Sequence, residues 1–85
     1  MVKIYIDIDG NKYWLQDGKY NRSNGPALEF SDGEKQWKQN GIRHRIDGPA
    51  VEYPGGDKDW FYQGQLVDCY NQKEFERLIR LRLLW

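Results

Sequence analysis

The sequence predicts a β-rich domain of the α+β class, an antiparallel β-meander of about six strands from three hairpin repeats, followed by one C-terminal α-helix. Three observations carry this. A unit of about 23 residues (33 − 10 = 23) occurs twice in full, as GNKYWLQDGKYNRSNGPALEFSD from Gly10 and GEKQWKQNGIRHRIDGPAVEYPG from Gly33, and starts a third time at Gly56 with GDKDWFYQG. Each unit begins at an Asp-Gly or Gly-Gly pair, a hairpin signal where the flanking residues alternate in polarity. The tail NQKEFERLIRLRLLW changes period, with Phe75, Leu78, Ile79 and Leu83 at helical spacing and Glu76, Arg77 and Arg80 off that stripe.

Eighty-five residues make a single domain, 1–85, with the repeat meander over 1–68 and the helix over 71–85. A domain this small buries roughly 60–65% of the surface its unfolded chain exposes. Its core therefore depends on four Trp, six Tyr and three Phe, each able to remove about 150–250 Å² from water. Thirteen basic residues balance thirteen acidic ones. That balance excludes an acid-rich DNA mimic and leaves no global field to draw the chain onto nucleic acid or an anionic membrane. Cys69 is the only cysteine, which excludes an internal disulfide and a multi-cysteine zinc site and fits a reducing compartment. The opening MVKIYIDIDG alternates and carries two aspartates, unlike a signal peptide or a membrane span. The expectation is a cytoplasmic protein.

Taken in order, Lys3 to Ile8 alternate and run into Asp9-Gly10, and Asp32-Gly33 and Gly55-Gly56 stand at the same place in the later units. If each pair closes a two-residue loop, counting outward sets Tyr5 opposite Trp14, Leu28 opposite Trp37 and Val51 opposite Trp60. The three tryptophans then share one face, which is the core. On the other face the second hairpin presents Ala27, Glu29, Gln36 and Lys38, and the third Ala50, Glu52, Asp59 and Phe61, a mainly solvated set. The first hairpin carries Ile4, Ile6, Tyr13 and Leu15 there, so it is apolar on both sides and calls for a cover. The links GKYNRSNGPA and GIRHRIDGPA turn at Gly-Pro and re-enter extended strands at Pro26 and Pro49. Asn71 caps the tail helix with Glu74 three residues on, close to a capping box. The apolar face of that helix has two candidate neighbours, the first hairpin and a second copy of the chain.

Few constellations suggest chemistry. Asp7-Ile8-Asp9-Gly10-Asn11 starts like an EF-hand loop, but the later ligands and the glutamate at the twelfth position are missing. A hairpin turn is expected there, with no metal. His44 is the only histidine, and neither a Ser nor a Cys nucleophile lies near it in sequence; a triad would also need an activating partner and an orienter. No catalytic residue and no cofactor is expected. Arg22 and Arg45 hold one repeat position, Asn24 and Asp47 another. The structural reading is that each arginine braces its own link, by pairing with Asp47 or by stacking on a tryptophan. The functional reading is a basic edge of Arg22, Arg43, His44 and Arg45 facing an acidic protein surface or a phosphate. Arg77, Arg80 and Arg82 make a basic helix face beside Trp85. Leu81, Leu84 and Trp85 widen the apolar surface of the helix, which points to dimerisation or partner binding through it.

Trp37, Asn40, Gly41, Arg43 and His44 form W-x-x-N-G-x-R-H, and Gly33 and Gly56 hold the turn glycine, a pattern that resembles MORN-like repeats. Arg45 stands where a glycine usually follows, and Ile46-Asp47-Gly48-Pro49-Ala50 comes next. In that respect the chain is more similar to short H-R-x-D-G-P-A repeat proteins of bacteriophages and their hosts, which often end in a Glu-Phe-x-x-x-x-(Ile/Leu) helix. The resemblance covers about residues 9 to 85; its first copy departs, with Asn21 for the histidine and Asn24 for the aspartate. It implies a non-catalytic binding module and, among phage proteins of this size, attachment to a host protein. The expectation is thus a small phage-type inhibitor or modulator of a host protein such as a defence component, in the manner of an anti-CRISPR, with Arg22, Arg43, His44, Arg45, Arg77, Arg80 and Trp85 as contact residues. A homodimer through the helix is the second partner expectation. The alternative is a nucleic-acid or nucleotide binder through the link arginines, disfavoured by the zero net charge. An enzyme ranks third.

Overall fold

The computed structural model describes residues 2–83. In chain order its strands are β1 (Val2–Ile6), β2 (Lys12–Gln16), β3 (Lys19–Tyr20), β4 (Leu28–Glu29), β5 (Lys35–Gln36), β6 (Lys38–Gln39), β7 (Ile42–Arg43), β8 (Val51–Glu52), β9 (Lys58–Tyr62) and β10 (Gln65–Val67), followed by helix α1 (Gln72–Leu83). The class matches the expectation, an antiparallel β-rich sheet and one C-terminal helix. The strand number does not: ten short strands replace about six, because each unit turns twice. The main sheet runs β1-β2-β4-β5-β8-β9-β10, with β3 also on β2 and β6–β7 as a separate ribbon.

The turns explain the difference. Asp9-Gly10 does not close a two-residue loop. The Asp7 N–H donates to the Asn11 carbonyl at 3.0 Å, the Gly10 N–H donates to the Asp7 carbonyl at 3.1 Å, and Gly10 has φ +86°. This is a three-residue loop, a type I turn closed by a left-handed residue. Gly33 and Gly56 repeat it, with Phe30 bonded to Glu34 and Tyr53 to Asp57. The two-residue turns lie at the start of the two expected links, at Asp17-Gly18 and Asn40-Gly41, and at Gln63-Gly64, and both residues of every pair have positive φ. That is the type I′ geometry whose twist suits adjoining strands. All three are again 23 residues apart (40 − 17 = 63 − 40 = 23).

One extra loop residue moves every register by one and exchanges the cross-strand partners. Tyr5 lies opposite Tyr13 and Ile4 opposite Trp14; Leu28 faces Gln36 and Val51 faces Asp59. The pairings expected for Trp14, Trp37 and Trp60 are therefore corrected. Trp14 donates its N–H to the Ala27 carbonyl at 2.8 Å and Trp37 donates to Ala50 at 2.7 Å, while Val67 sits opposite Trp60. A single row, Ile4, Trp14, Ala27, Trp37, Ala50, Trp60 and Val67, thus crosses the sheet on one face. Large and small side chains alternate along it. Ala27 and Ala50 are fully buried between the indoles. Leu28 and Val51, buried as well, point to the other face, and Ile4 and Ile6 share the tryptophan face rather than that of Tyr13.

Helix α1 is capped as expected. The Glu74 N–H donates to Asn71 Oδ1 at 2.9 Å and Glu74 Oε1 accepts the Tyr70 N–H at 3.2 Å, a reciprocal pair that satisfies two otherwise orphaned donors. Phe75 and Ile79 are buried. The helix packs on the third unit and not on the first hairpin: Trp60 Nε1 donates to Gln72 Oε1 at 2.7 Å, Gln72 Nε2 donates to the Ile46 carbonyl at 2.8 Å, and Arg82 bonds Gln65. Geometry forbids the other docking. The helix follows β10 after four residues and is about 18 Å long, whereas the molecule extends 42 Å. No described helix is long and apolar enough to cross a membrane.

Candidate functional site

The links come first, because the sequence places four candidate residues there. The Arg22 guanidinium lies 4.0 Å from the ring centre of Trp14 and that of Arg45 3.8 Å from Trp37. Nη1 of each donates to the carbonyl of a proline, Pro26 or Pro49, and to a carboxylate, Glu29 or Glu52, at 3.0–3.2 Å. Arg45 Nε adds Asp47 at 3.0 Å. A Cβ on Gly25 would come within 2.7 Å of Arg22 Cζ, and one on Gly48 within 2.5 Å of Arg45 Cζ, so glycine is what lets each guanidinium lie flat. The R-x-(Asn/Asp)-Gly-Pro-Ala-x-Glu string thereby acquires a role at five of its positions. Arginine covers the indole, glycine gives clearance, proline supplies an acceptor, alanine fills the row and glutamate completes the charge pair.

His44 is tied down too. Its Nδ1 accepts the N–H of Gln63 at 2.9 Å, so the remaining proton of the neutral ring sits on Nε2. Twenty-three residues earlier Asn21 Oδ1 accepts the N–H of Asn40 at 2.9 Å. Asparagine and histidine therefore do one job, holding the first left-handed residue of the next type I′ turn. At Asn21 the departure of the first copy keeps the bond; at Asn24 it gives up the ion pair that Asp47 makes with Arg45. Neighbouring units are also joined by the Gly41 N–H to the Tyr20 carbonyl at 2.7 Å and the Gly64 N–H to that of Arg43 at 2.8 Å.

Between the two links lies a polar groove of about 480 Å³, lined among others by Arg22, Asn24, Trp37, His44 and Asp47. Both of its arginines carry a carboxylate partner, so its field is largely cancelled at short range. Arg43 is exposed, 5.1 Å over Phe61, and Arg77 and Arg80 are exposed on α1. The structure therefore clusters Arg22, His44 and Arg45 and leaves Arg77 and Arg80 apart from them. Trp85 lies outside the described residues. Among the described residues no group of three or more His, Cys, Asp or Glu side chains could hold a metal ion.

The first hairpin is the other surface. Val2, Ile4, Tyr5 and Ile6 of β1 are 48–64% exposed, and Ile8 at its turn is fully exposed. On the face opposite the tryptophans, Tyr5, Tyr13, Leu15 and Tyr20 border a shallow, mainly apolar hollow of about 400 Å³. Asp7 anchors the turn beside it. Its carboxylate accepts the N–H groups of Asp9 and Asn11, the Asn11 amide and the Tyr13 hydroxyl, at 2.9–3.0 Å. The Asn11 amide above all, then Tyr13, hold the Asp7 carboxyl below its ordinary range against some desolvation, and the same bond pushes the Tyr13 phenol up. The sequence signal for this surface is the alternation of VKIYI, with Val2, Ile4 and Ile6 on one face; the candidate residues drawn from arginine position leave it out.

Comparison of the chain with family models, curated proteins and solved structures found no match. The likeness to MORN-like repeats therefore rests on the residues themselves.

Proposed function

We propose that this chain is a non-catalytic protein-binding module that presents its first hairpin to a partner. One observation carries the reading: β1 lines one face with Val2, Ile4 and Ile6, adds Tyr5 on the other, is largely exposed and, among the described residues, is unpaired along one edge. Monomeric domains rarely leave such a strand open, since it is a ready template for another chain. The arginine pairing in the links supports the same reading, because those side chains are engaged in holding the fold. The resemblance to phage repeat proteins adds the class of role, a small inhibitor or modulator acting on a host protein.

The test is affinity capture from host lysate with the wild-type chain and two kinds of variant. Ile6→Lys with Ile8→Lys places charge on the hairpin, and Arg77→Glu with Arg80→Glu reverses the helix face. Retention of a specific protein that is lost with the first pair and kept with the second is the expected result. The opposite pattern moves the contact surface to the helix. Retained nucleic acid with a linear loss of affinity on a logarithmic salt scale replaces the protein partner altogether.

A further inference from the structure

We infer that β1 is a self-pairing edge: a second copy of this chain adds antiparallel to it, about a twofold axis through Tyr5. This rests on the reading of the first hairpin as the binding surface. Asp7 directs its backbone N–H at Asn11 on the β2 side, and backbone groups alternate along an antiparallel strand. Lys3, Tyr5 and Asp7 therefore turn theirs toward β2. Val2, Ile4 and Ile6 turn their N–H and C=O groups outward, into the free edge.

Only pairings that set even residues against even residues use those groups. Two such registers cover β1, one centred on Ile4 and one on Tyr5. Centred on Tyr5, Ile4 meets the partner's Ile6 in a hydrogen-bonded pair on both sides of the axis. Lys3 then lies across from the partner's Asp7 in the closer, non-hydrogen-bonded spacing of about 4.5 Å between Cα atoms. That ion pair forms twice, with a carboxylate whose Asn11 and Tyr13 bonds already favour the charged form. Centred on Ile4, Lys3 meets the partner's Tyr5 and the Lys3–Asp7 pairing is lost. Charge complementarity selects Tyr5. The faces also match, because an axis normal to the sheet keeps the isoleucines on the tryptophan face and brings the two Tyr5 rings together beside the Tyr13 hollow. The contact is isologous and closes at two copies. The opposite edge, β10, is engaged by α1 through Arg82 and Gln65.

The test uses the full chain with Cys69→Ser. Under mild oxidation Tyr5→Cys forms a disulfide-linked dimer, since the two positions face each other within disulfide reach, whereas Ile4→Cys does not. Light scattering of the wild type shows a dimer, and Lys3→Glu, which sets like charges opposite each other, weakens it roughly tenfold. Ile6→Pro removes one outward N–H without touching the β2 ladder and gives a monomer with unchanged tryptophan fluorescence. If that variant misfolds, amide exchange on the wild type decides: Ile4 and Ile6 are protected only at dimer-forming concentrations, Tyr5 at all of them. A strictly monomeric wild type overturns the inference. So does a dimer indifferent to Lys3→Glu that cross-links at neither or only at Ile4→Cys, as a helix-mediated or Ile4-centred contact would. Growth beyond two copies, as in β1-to-β10 joining, overturns it as well. A monomer whose partner capture still depends on Ile6 and Ile8 rejects self-pairing alone; one whose capture ignores them rejects the hairpin reading too.

Discussion

Replacing Gly48 by alanine should destabilise the protein through a side chain three residues away. Gly48 φ is not positive, so the backbone accepts alanine. Its Cβ, however, would stand 2.5 Å from Arg45 Cζ and 2.8 Å from Nε and Nη1, and Arg45 must leave. What goes with it is the stacking on Trp37, about 0.5–2 kcal/mol, the bond to the Pro49 carbonyl, about 1 kcal/mol, and part-exposed ion pairs with Asp47 and Glu52 that are worth only about 0.2–1 kcal/mol after screening. Against this, alanine stiffens the unfolded chain and returns about 0.4–1 kcal/mol. The net loss is about 1–3.5 kcal/mol by these magnitudes, or roughly 4–28 °C in Tm for a domain of this size. Urea unfolding followed by tryptophan fluorescence measures it. The decisive arm is the same substitution in an Arg45→Ala background, where Gly48→Ala becomes neutral or stabilising by about 0.4–1 kcal/mol. An equal cost in both backgrounds would refute the clearance argument.

His44→Asn should leave the urea midpoint nearly unchanged, because Asn21 already performs that role, while His44→Ala lowers stability by about 1 kcal/mol; a similar loss for both would show that the ring itself matters. Gln72→Ala removes the bonds to Trp60 and Ile46 and should cost about 1–3 kcal/mol, with faster amide exchange in α1 than in β2; uniform acceleration would contradict local helix docking. Asp7 has a depressed carboxyl pKa in the folded state, so its contribution is present above the unfolded value and lost as pH falls through the folded one. Asp7→Asn should therefore flatten the decline in midpoint below about pH 4. Tyr13, raised by the same bond, contributes below its unfolded value and loses that as pH rises, so Tyr13→Phe should flatten the decline above about pH 10. Unaltered limbs in these variants would remove the Asp7–Tyr13 bond from the account.

The period of 23, the common face of the three tryptophans and the Asn71 cap could all be read from residues, because each depends on local spacing. Register could not. Asp9-Gly10 is written like a two-residue turn, yet the loop takes a third residue, as it does at Asp32-Gly33 and Gly55-Gly56 with Phe30 and Tyr53 at the position of Asp7. Asp17-Gly18 and Asn40-Gly41 are equally good turn signals, but the strands that follow them, β3 and β7, are two residues long and show no alternation. The bracing role of the link arginines was legible as one of two readings; what it rests on, the clearance over Gly25 and Gly48, depends on a distance that no spacing encodes. The docking of α1 on the third unit was hidden for a similar reason, since the sequence marks an apolar face without marking its neighbour.

At position 68 the third unit carries aspartate where the first two carry Arg22 and Arg45, and the indole of Trp60 is met by Gln72 of the helix. That exchange gives the array a direction. Each unit is secured by the one after it, and α1 is the terminator at one end, whereas β1 has a neighbour on one side only. In a one-dimensional array stability is a sum of units and their interfaces. At concentrations where the chain is monomeric, opening should accordingly begin at the N-terminal end and travel toward the helix, with the order of amide exchange following chain order.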